Sequence, residues 1–238
     1  MRKMKGSSSY LRNQVRKNIA KASLCLIVFV LIFAISSLQM LLALHMSLLA
    51  EIGLATSLVP LAGFFYYQRK YHIYNGGWQG EKQVIKLLEK QLSDDYILLN
   101  DLYLRNGGGD IDHIVLSPNG IFVLETKNWS GVVSCQGDEW SRAGRNGFKG
   151  SPSRQVKRNV LLVKRIIDSS SSLRQLNATV EGIVVFTNNH TTLHINNPPV
   201  TILKLAQLPS HILAQRNTRQ LSREKLEDIV KEILMQKA

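Results

Sequence analysis

Residues 22–67 contain no Lys, Arg or Asp and a single Glu, Glu51. That stretch limits the fold before anything else does, because a helix of about 20 apolar residues is what crosses the hydrocarbon of a bilayer. Leu24 to Leu44 (LCLIVFVLIFAISSLQMLLAL) supplies one such run. His45, Ser47 and Glu51 interrupt it, and Ile52 to Tyr67 supplies a second, shorter run. The second run ends in Phe64, Phe65, Tyr66 and Tyr67, aromatics that suit a membrane–water interface. A cleaved signal peptide would have a shorter apolar core followed by a cleavage site, not by another apolar run. The pattern predicts a transmembrane helical hairpin over 22–67, kinked at Pro60. Its tight turn falls near Glu51, since an acid at mid-membrane would cost about 3 kcal/mol. A single long span followed by an interfacial helix is the alternative.

Charge orients the hairpin. Residues 1–21 hold seven Lys or Arg and no acid, and Arg69 and Lys70 follow the second run. The positive-inside rule places both flanks in the cytoplasm. The expectation is a two-span protein of the cell membrane with both termini cytoplasmic and the lipid bilayer as a partner. The basic segment 1–21 could also read anionic lipid. Residues 68–238 carry 23 basic and 16 acidic side chains. This part is basic in its own right and could approach a polyanion, although plain solubility explains the same excess. The two cysteines, Cys25 and Cys135, form no CxxC or Cys/His cluster, so neither a disulfide framework nor a structural zinc site is indicated.

Beyond the apolar stretch, residues 68–79 read as a linker broken at Asn75-Gly76-Gly77, and 80–238 as one domain. Val84, Leu87, Leu88 and Leu92 recur at helical spacing. Strands follow at Tyr96–Leu99, continuing through Asp101–Arg105, then at Asp110–Leu116, Ile121–Thr126 and Gly131–Cys135. Asn106–Gly109 is a turn, and Ser117-Pro118-Asn119-Gly120 is a hairpin turn. Gly137–Gly150 reads as a loop or an irregular hairpin. Ser151-Pro152, a cap residue followed by Pro at the first helical position, opens a helix to about Asp168. Ser169–Ser172 is a linker, Val180–Thr187 and Thr201–Leu205 are strands, and Ser222–Gln236 is an amphipathic helix. This order describes an α/β domain with a mixed central sheet flanked by helices.

Chemistry concentrates in GDIDHIVLSPNGIFVLETKNWSG. Alternate residues of a strand share a face, so Asp110 pairs in facing with Asp112, and Glu125 with Lys127. The tight turn makes the two strands neighbours and brings Asp112 and Glu125 to the same open end. Carboxylates in that position can hold Mg²⁺ or Mn²⁺. Such a cation acidifies a bound water and neutralises a phosphate oxygen. Lys127 could position the water or stabilise developing charge. A lone E-x-K is ordinarily just a solvated ion cluster. An Asp opening one strand, a hairpin turn and E-x-K closing an apolar strand make a more specific combination. His113 faces the other way and reads as a packing residue, as do Trp129 and Trp140. Arg145, Lys149, Arg154, Lys157 and Arg158 could line a phosphate path, and a solvated helix face explains them as well.

From about Gly76 to Asp168 the chain resembles the nuclease-related domain, NERD, of the PD-(D/E)xK nuclease superfamily. The matching residues are Gly80-Glu81, Gly109-Asp110-Ile111-Asp112-His113, Gly120-Ile121-Phe122-Val123-Leu124-Glu125-Thr126-Lys127-Asn128, and Ser151-Pro152 with Gln155. The resemblance implies a restriction-endonuclease-like core. It implies Asp112 and Glu125 as metal ligands, Lys127 as the catalytic cation, Glu81 as an additional metal-side acid and Gln155 as a helper. Asp110 shares the facing of Asp112 and could stand in for it. The activity implied is Mg²⁺- or Mn²⁺-dependent hydrolysis of nucleic acid, DNA before RNA, and pairing into a homodimer is compatible with it. Two other readings compete: a nucleic-acid-binding module of the same fold without turnover, and a membrane-tethered scaffold.

Overall fold

The computed structural model describes every residue except 6–9, 43–47, 106–109, 145–149, 216–219 and 238, and describes residues 3–5 by their backbone. The chain forms two compact units, one of Ser9–Trp78 and one of Met1–Ser8 together with Gln79–Ala238.

The first unit consists of helix α1 (Tyr10–Leu42) and most of helix α2 (Leu48–Gln91), whose last turns belong to the second unit. Both helices are long and apolar enough to cross a membrane. They pack antiparallel through small residues. A Cβ on Gly53 would strike Ser36, one on Gly63 would lie 3.1 Å from Cys25 Sγ, and Gly77 rests against Leu11. Small residues at such contacts let helix backbones approach closely. The structure corrects two expectations here. Asn75-Gly76-Gly77 does not break the chain but lies inside α2: the fit of Gly77 against Leu11 outweighs the poor intrinsic helix propensity of Gly. Glu51 is not at the turn but in the first turn of α2, where the positive end of the helix dipole suits an acid. The connection itself falls on residues outside those described. Pro60 lies within α2.

The second unit is built on a six-stranded mixed sheet. Its strands are β1 (Arg2–Lys5), β2 (Ile97–Tyr103), β3 (Asp110–Ser117), β4 (Gly120–Lys127), β7 (Val180–Phe186) and β9 (Thr201–Lys204), in the order β1-β2-β3-β4-β7-β9. β2, β3 and β4 are successive antiparallel neighbours, whereas β1, β7 and β9 join in parallel. Strands β5 (Gly131–Gln136), β6 (Glu139–Arg142) and β8 (Thr191–Asn196) form a second, three-stranded sheet in the order β6-β5-β8. The expected strand at Gly131–Cys135 therefore belongs to a different sheet from β2–β4. The tract after Gly137 resolves into a hairpin strand, with residues 145–149 outside those described.

Helix α3 (Pro152–Ser169) crosses from β4 to the parallel strand β7. The Ser151 side chain accepts from the Arg154 N–H at its start, so the expected Ser-Pro opening is what the structure builds. A short helix α4 (Ser171–Arg174) occupies the expected linker, and α5 (Leu208–Ala214) was not expected at all. Helix α6 (Arg223–Met235) is capped by Ser222, whose hydroxyl accepts from Lys225 N–H.

The sheet buries an apolar layer on each face. One holds Ile97, Leu99, Ile114, Leu116, Ile121, Val123 and Val184 under α3 and α6; the other holds Leu98, Val115, Phe122, Leu124 and Val185 under Val84 and Leu88 of α2. The β3–β4 turn needs its glycine, because Gly120 has φ +150 and a Cβ there would meet Thr179 Oγ1 at 2.7 Å. The expected turn at Asn106–Gly109 lies outside the described residues.

Candidate active site

The register of β3 against β4 pairs His113 with Leu124 and Ile114 with Val123. Asp112 and Glu125 therefore stand opposite each other at the open end of the hairpin and on one side of the sheet. Asp112 Oδ2 accepts from the Thr126 backbone N–H at 2.6 Å. Lys127 Nζ donates to Glu125 Oε1 at 2.5 Å and lies 3.5 Å from Gln155 Oε1 on α3. Four of the expected residues, Asp112, Glu125, Lys127 and Gln155, are thus brought together.

Glu81 reaches the same place from α2. Its helix can come close because Gly80 has no side chain: a Cβ would lie 2.8 Å from Thr187 Oγ1 and 3.1 Å from Asn128 Cβ. Asp110 opens β3 at the rim, half-buried, and its carbonyl accepts from Asn159 Nδ2 at 3.4 Å. Sequence reasoning missed Asp101. It is joined by a side-chain hydrogen bond to Glu81 and has the left-handed backbone angle φ +52. The signal available for it was slight, an acid inside an otherwise apolar run.

The electrostatics are those of crowded acids. Burial, then the charges of Asp112, Asp101 and Glu125, push the Glu81 carboxyl up to about 10. Burial and Glu125 hold Asp112 well above the usual carboxylate range, against the pull of Lys127 and the Thr126 N–H. Burial raises Glu125 as well, partly offset by Lys127 and Arg158. Burial works to depress Lys127, but Glu125, Asp112 and Glu81 outweigh it and leave the ammonium raised. The half-buried Asp110 is raised by desolvation.

Among the described residues, no group of three or more His, Cys, Asp or Glu side chains is drawn together closely enough to hold a metal ion as it stands. The donors nevertheless suit a hard divalent cation, which takes carboxylate oxygens. Glu125 is 2% exposed, and its Oε2 is buried without a hydrogen-bond partner. The acids around it outnumber the ammonium, an imbalance that a cation would correct.

The surroundings are more structural. Trp129, Trp140 and Phe186 form an aromatic cluster with ring centroids 5.8–6.5 Å apart. Lys127 Nζ lies 5.8 Å from the Trp129 ring centre, within cation–π range. Trp140 Nε1 donates to Ser153 Oγ at 3.0 Å. Of the basic side chains considered for a phosphate path, Arg154 is paired with Glu139 and Lys157 with Asp138. Arg158 acts on Glu125 electrostatically, and Arg145 and Lys149 lie outside the described residues.

Comparison with known proteins bears on this geometry. The nuclease-related domain (NERD) family matches residues 76–187, from the helix that carries Glu81 through the end of β7 and so around the whole cluster. An uncharacterised protein of Bacillus anthracis is 40% identical over 60 residues, which is 24% of this chain and 28% of that relative. No solved structure matches. Over residues 76–187 this chain is thus similar to the nuclease-related domain family.

Proposed function

We propose that the chain is a membrane-anchored enzyme that hydrolyses phosphodiester bonds of nucleic acid, DNA before RNA, with Mg²⁺ or Mn²⁺ as cofactor. One arrangement carries the reading: Asp112 and Glu125 face each other across two strands, with Glu125 Oε2 buried and unpartnered and Lys127 on the other carboxylate oxygen. A mixed sheet covered by helices on both faces supports a restriction-endonuclease-like core.

Asp112 and Glu125 would hold the cation, with Glu81 and Asp110 beside them. When bound, the cation supplies an acidified water and neutralises charge on the phosphate. Lys127, oriented by Glu125 and Gln155, donates to negative charge as it gathers on the phosphate oxygens. The basic excess of residues 68–238 favours approach of a polyanion.

The helical unit supports anchoring. Leu24, Ile27, Val30, Leu31, Phe33 and Ile35 of α1 are exposed, the inverse of a water-soluble packing. Lys21 Nζ lies 5.3 Å from the Tyr67 ring centre, a basic and an aromatic group at one level of the helix pair, as at an interface. The chain leaves the α/β unit at Ser8 and returns to it at Gln79, which supports an even number of spans with both termini on one side, and the Lys and Arg flanking the two apolar runs favour the cytoplasm for that side.

The test is cleavage of labelled DNA by the full chain in detergent. Glu125→Gln and Lys127→Met should abolish Mg²⁺-dependent cleavage and leave the unfolding transition cooperative. DNA binding without cleavage in the wild type would instead mark a silent binding module.

A further inference from the structure

The acid that sequence reasoning missed occupies a place of its own in the sheet. In the β2–β3 register Asn100 pairs with His113 and Leu102 with Ile111, which puts Asp101 directly opposite Asp112. Because Asp112 in turn faces Glu125, three acids lie in one row across three adjacent strands, about 5 Å from strand to strand. Like charges directly opposite one another weaken a sheet, so packing gives no reason for the row.

The backbone at Asp101 is also distinctive. Ile97 and Leu99 enter the core under α3, and beyond Asp101 the same core takes Leu102 and Leu104. The alternation slips by one residue at Asp101, and its φ of +52 accommodates the slip. Asn or Gly would satisfy that backbone at least as well. An Asp there is surplus to the turn. Its carboxyl hydrogen-bonds Glu81 and acts electrostatically on Asp112. An independent feature points to a ligand in this row: the buried, unpartnered Glu125 Oε2 at its far end.

We propose that Asp101 is a cation-binding residue of this centre, acting with Glu81, so that the site takes its divalent ion from four elements, α2, β2, β3 and β4. The inference rests on the metal-dependent reading above.

The experiment is calorimetric titration of Mn²⁺ into the full chain in detergent, for the wild type, Asp101→Asn, Asp101→Gly and Glu125→Gln. Asn keeps the left-handed backbone and the side-chain shape while removing the charge. Gly keeps the backbone and removes the side chain. Both variants should weaken Mn²⁺ binding by at least about tenfold, with an unfolding midpoint in chelator no lower than that of the wild type. Wild-type affinity in both, beside a loss in Glu125→Gln, overturns the role of Asp101 and leaves the metal-dependent reading standing. Wild-type affinity in Asp101→Asn with a loss only in Asp101→Gly assigns Asp101 to shape alone and likewise overturns it. A wild-type chain that binds no Mn²⁺ removes both readings together.

Discussion

Asp112 and His113 are consecutive in β3 and both bring polar groups out of water, but the two sides of the strand meet that cost in opposite ways. On one side His113 Nδ1 lies 2.7 Å from Asn100 Oδ1. Burial pushes the ring down to about 3, so the pair is neutral and carries no charge into the core. On the other side Asp112, Glu125 and Glu81 crowd around one ammonium, and burial together with neighbouring acids pushes their carboxyls up. A structural polar pair minimises buried charge. A cation-binding site, the role proposed for the other side, would concentrate it, at a cost to the fold without the ion. The difference teaches that burial alone does not mark function; uncompensated like charge does.

The contrast breaks most visibly under substitution. Replacing Lys127 by Met should lower metal-dependent cleavage by roughly 10²–10⁴-fold, read from single-turnover rates. His113→Ala should leave that rate within about threefold while destabilising the fold by about 1–3 kcal/mol in denaturant titration, because Asn100 loses its partner. Should His113→Ala silence cleavage in a folded protein, the division between the two sides fails.

Gly80→Ala sharpens the boundary between helix and site. The new Cβ, 2.8 Å from Thr187 Oγ1, must push α2 away from the strand ends, at a cost of about 1–3 kcal/mol. Because Glu81 is the next residue, Mn²⁺ affinity should fall in parallel. Unchanged affinity would show that the close approach does not position Glu81.

The pH response is gentler and has opposite signs on the two sides. The folded Glu81 is raised from 4.5 to about 10, so its contribution to stability is full below about pH 4.5 and is lost as pH rises towards 10. The folded His113 is depressed from 6.5 to about 3, so its contribution is present above about pH 6.5 and is lost as pH falls. In chelator, the Glu81 contribution should fall between about pH 4.5 and 10 by at most about 1.4 kcal/mol per pH unit, and Glu81→Gln should flatten that decline. His113→Ala should soften only the acid limb. Chemical denaturation at a series of pH values checks both.

Local signals made the hairpin legible in the sequence. The Ser117–Gly120 turn, the alternation of β3 and β4 and the Ser151 cap are short-range features, and they suffice to bring Asp112, Glu125 and Lys127 together. Features that depend on distant partners were not legible. Arg2–Lys5 has no apolar alternation of its own and becomes a strand only by pairing with β2 across the intervening helical unit. β5 and β8 meet from either side of α3. Gly77 stays helical because Leu11 lies against it. Asp101 was hidden for a related reason, since a positive φ inside a strand follows from how two core layers must be filled. The pairing of β1 also means that a fragment beginning after the helices would leave the edge of β2 bare. The protein is therefore best tested whole.

The most direct measurement is the time course of labelled-DNA cleavage by the full chain in detergent, first stripped of divalent ions and then supplied with Mg²⁺, alongside Glu125→Gln handled identically. The account predicts product only in the wild type and only after Mg²⁺ is added. Equal product from both proteins, or none from the wild type in Mg²⁺ and Mn²⁺ alike, would contradict it.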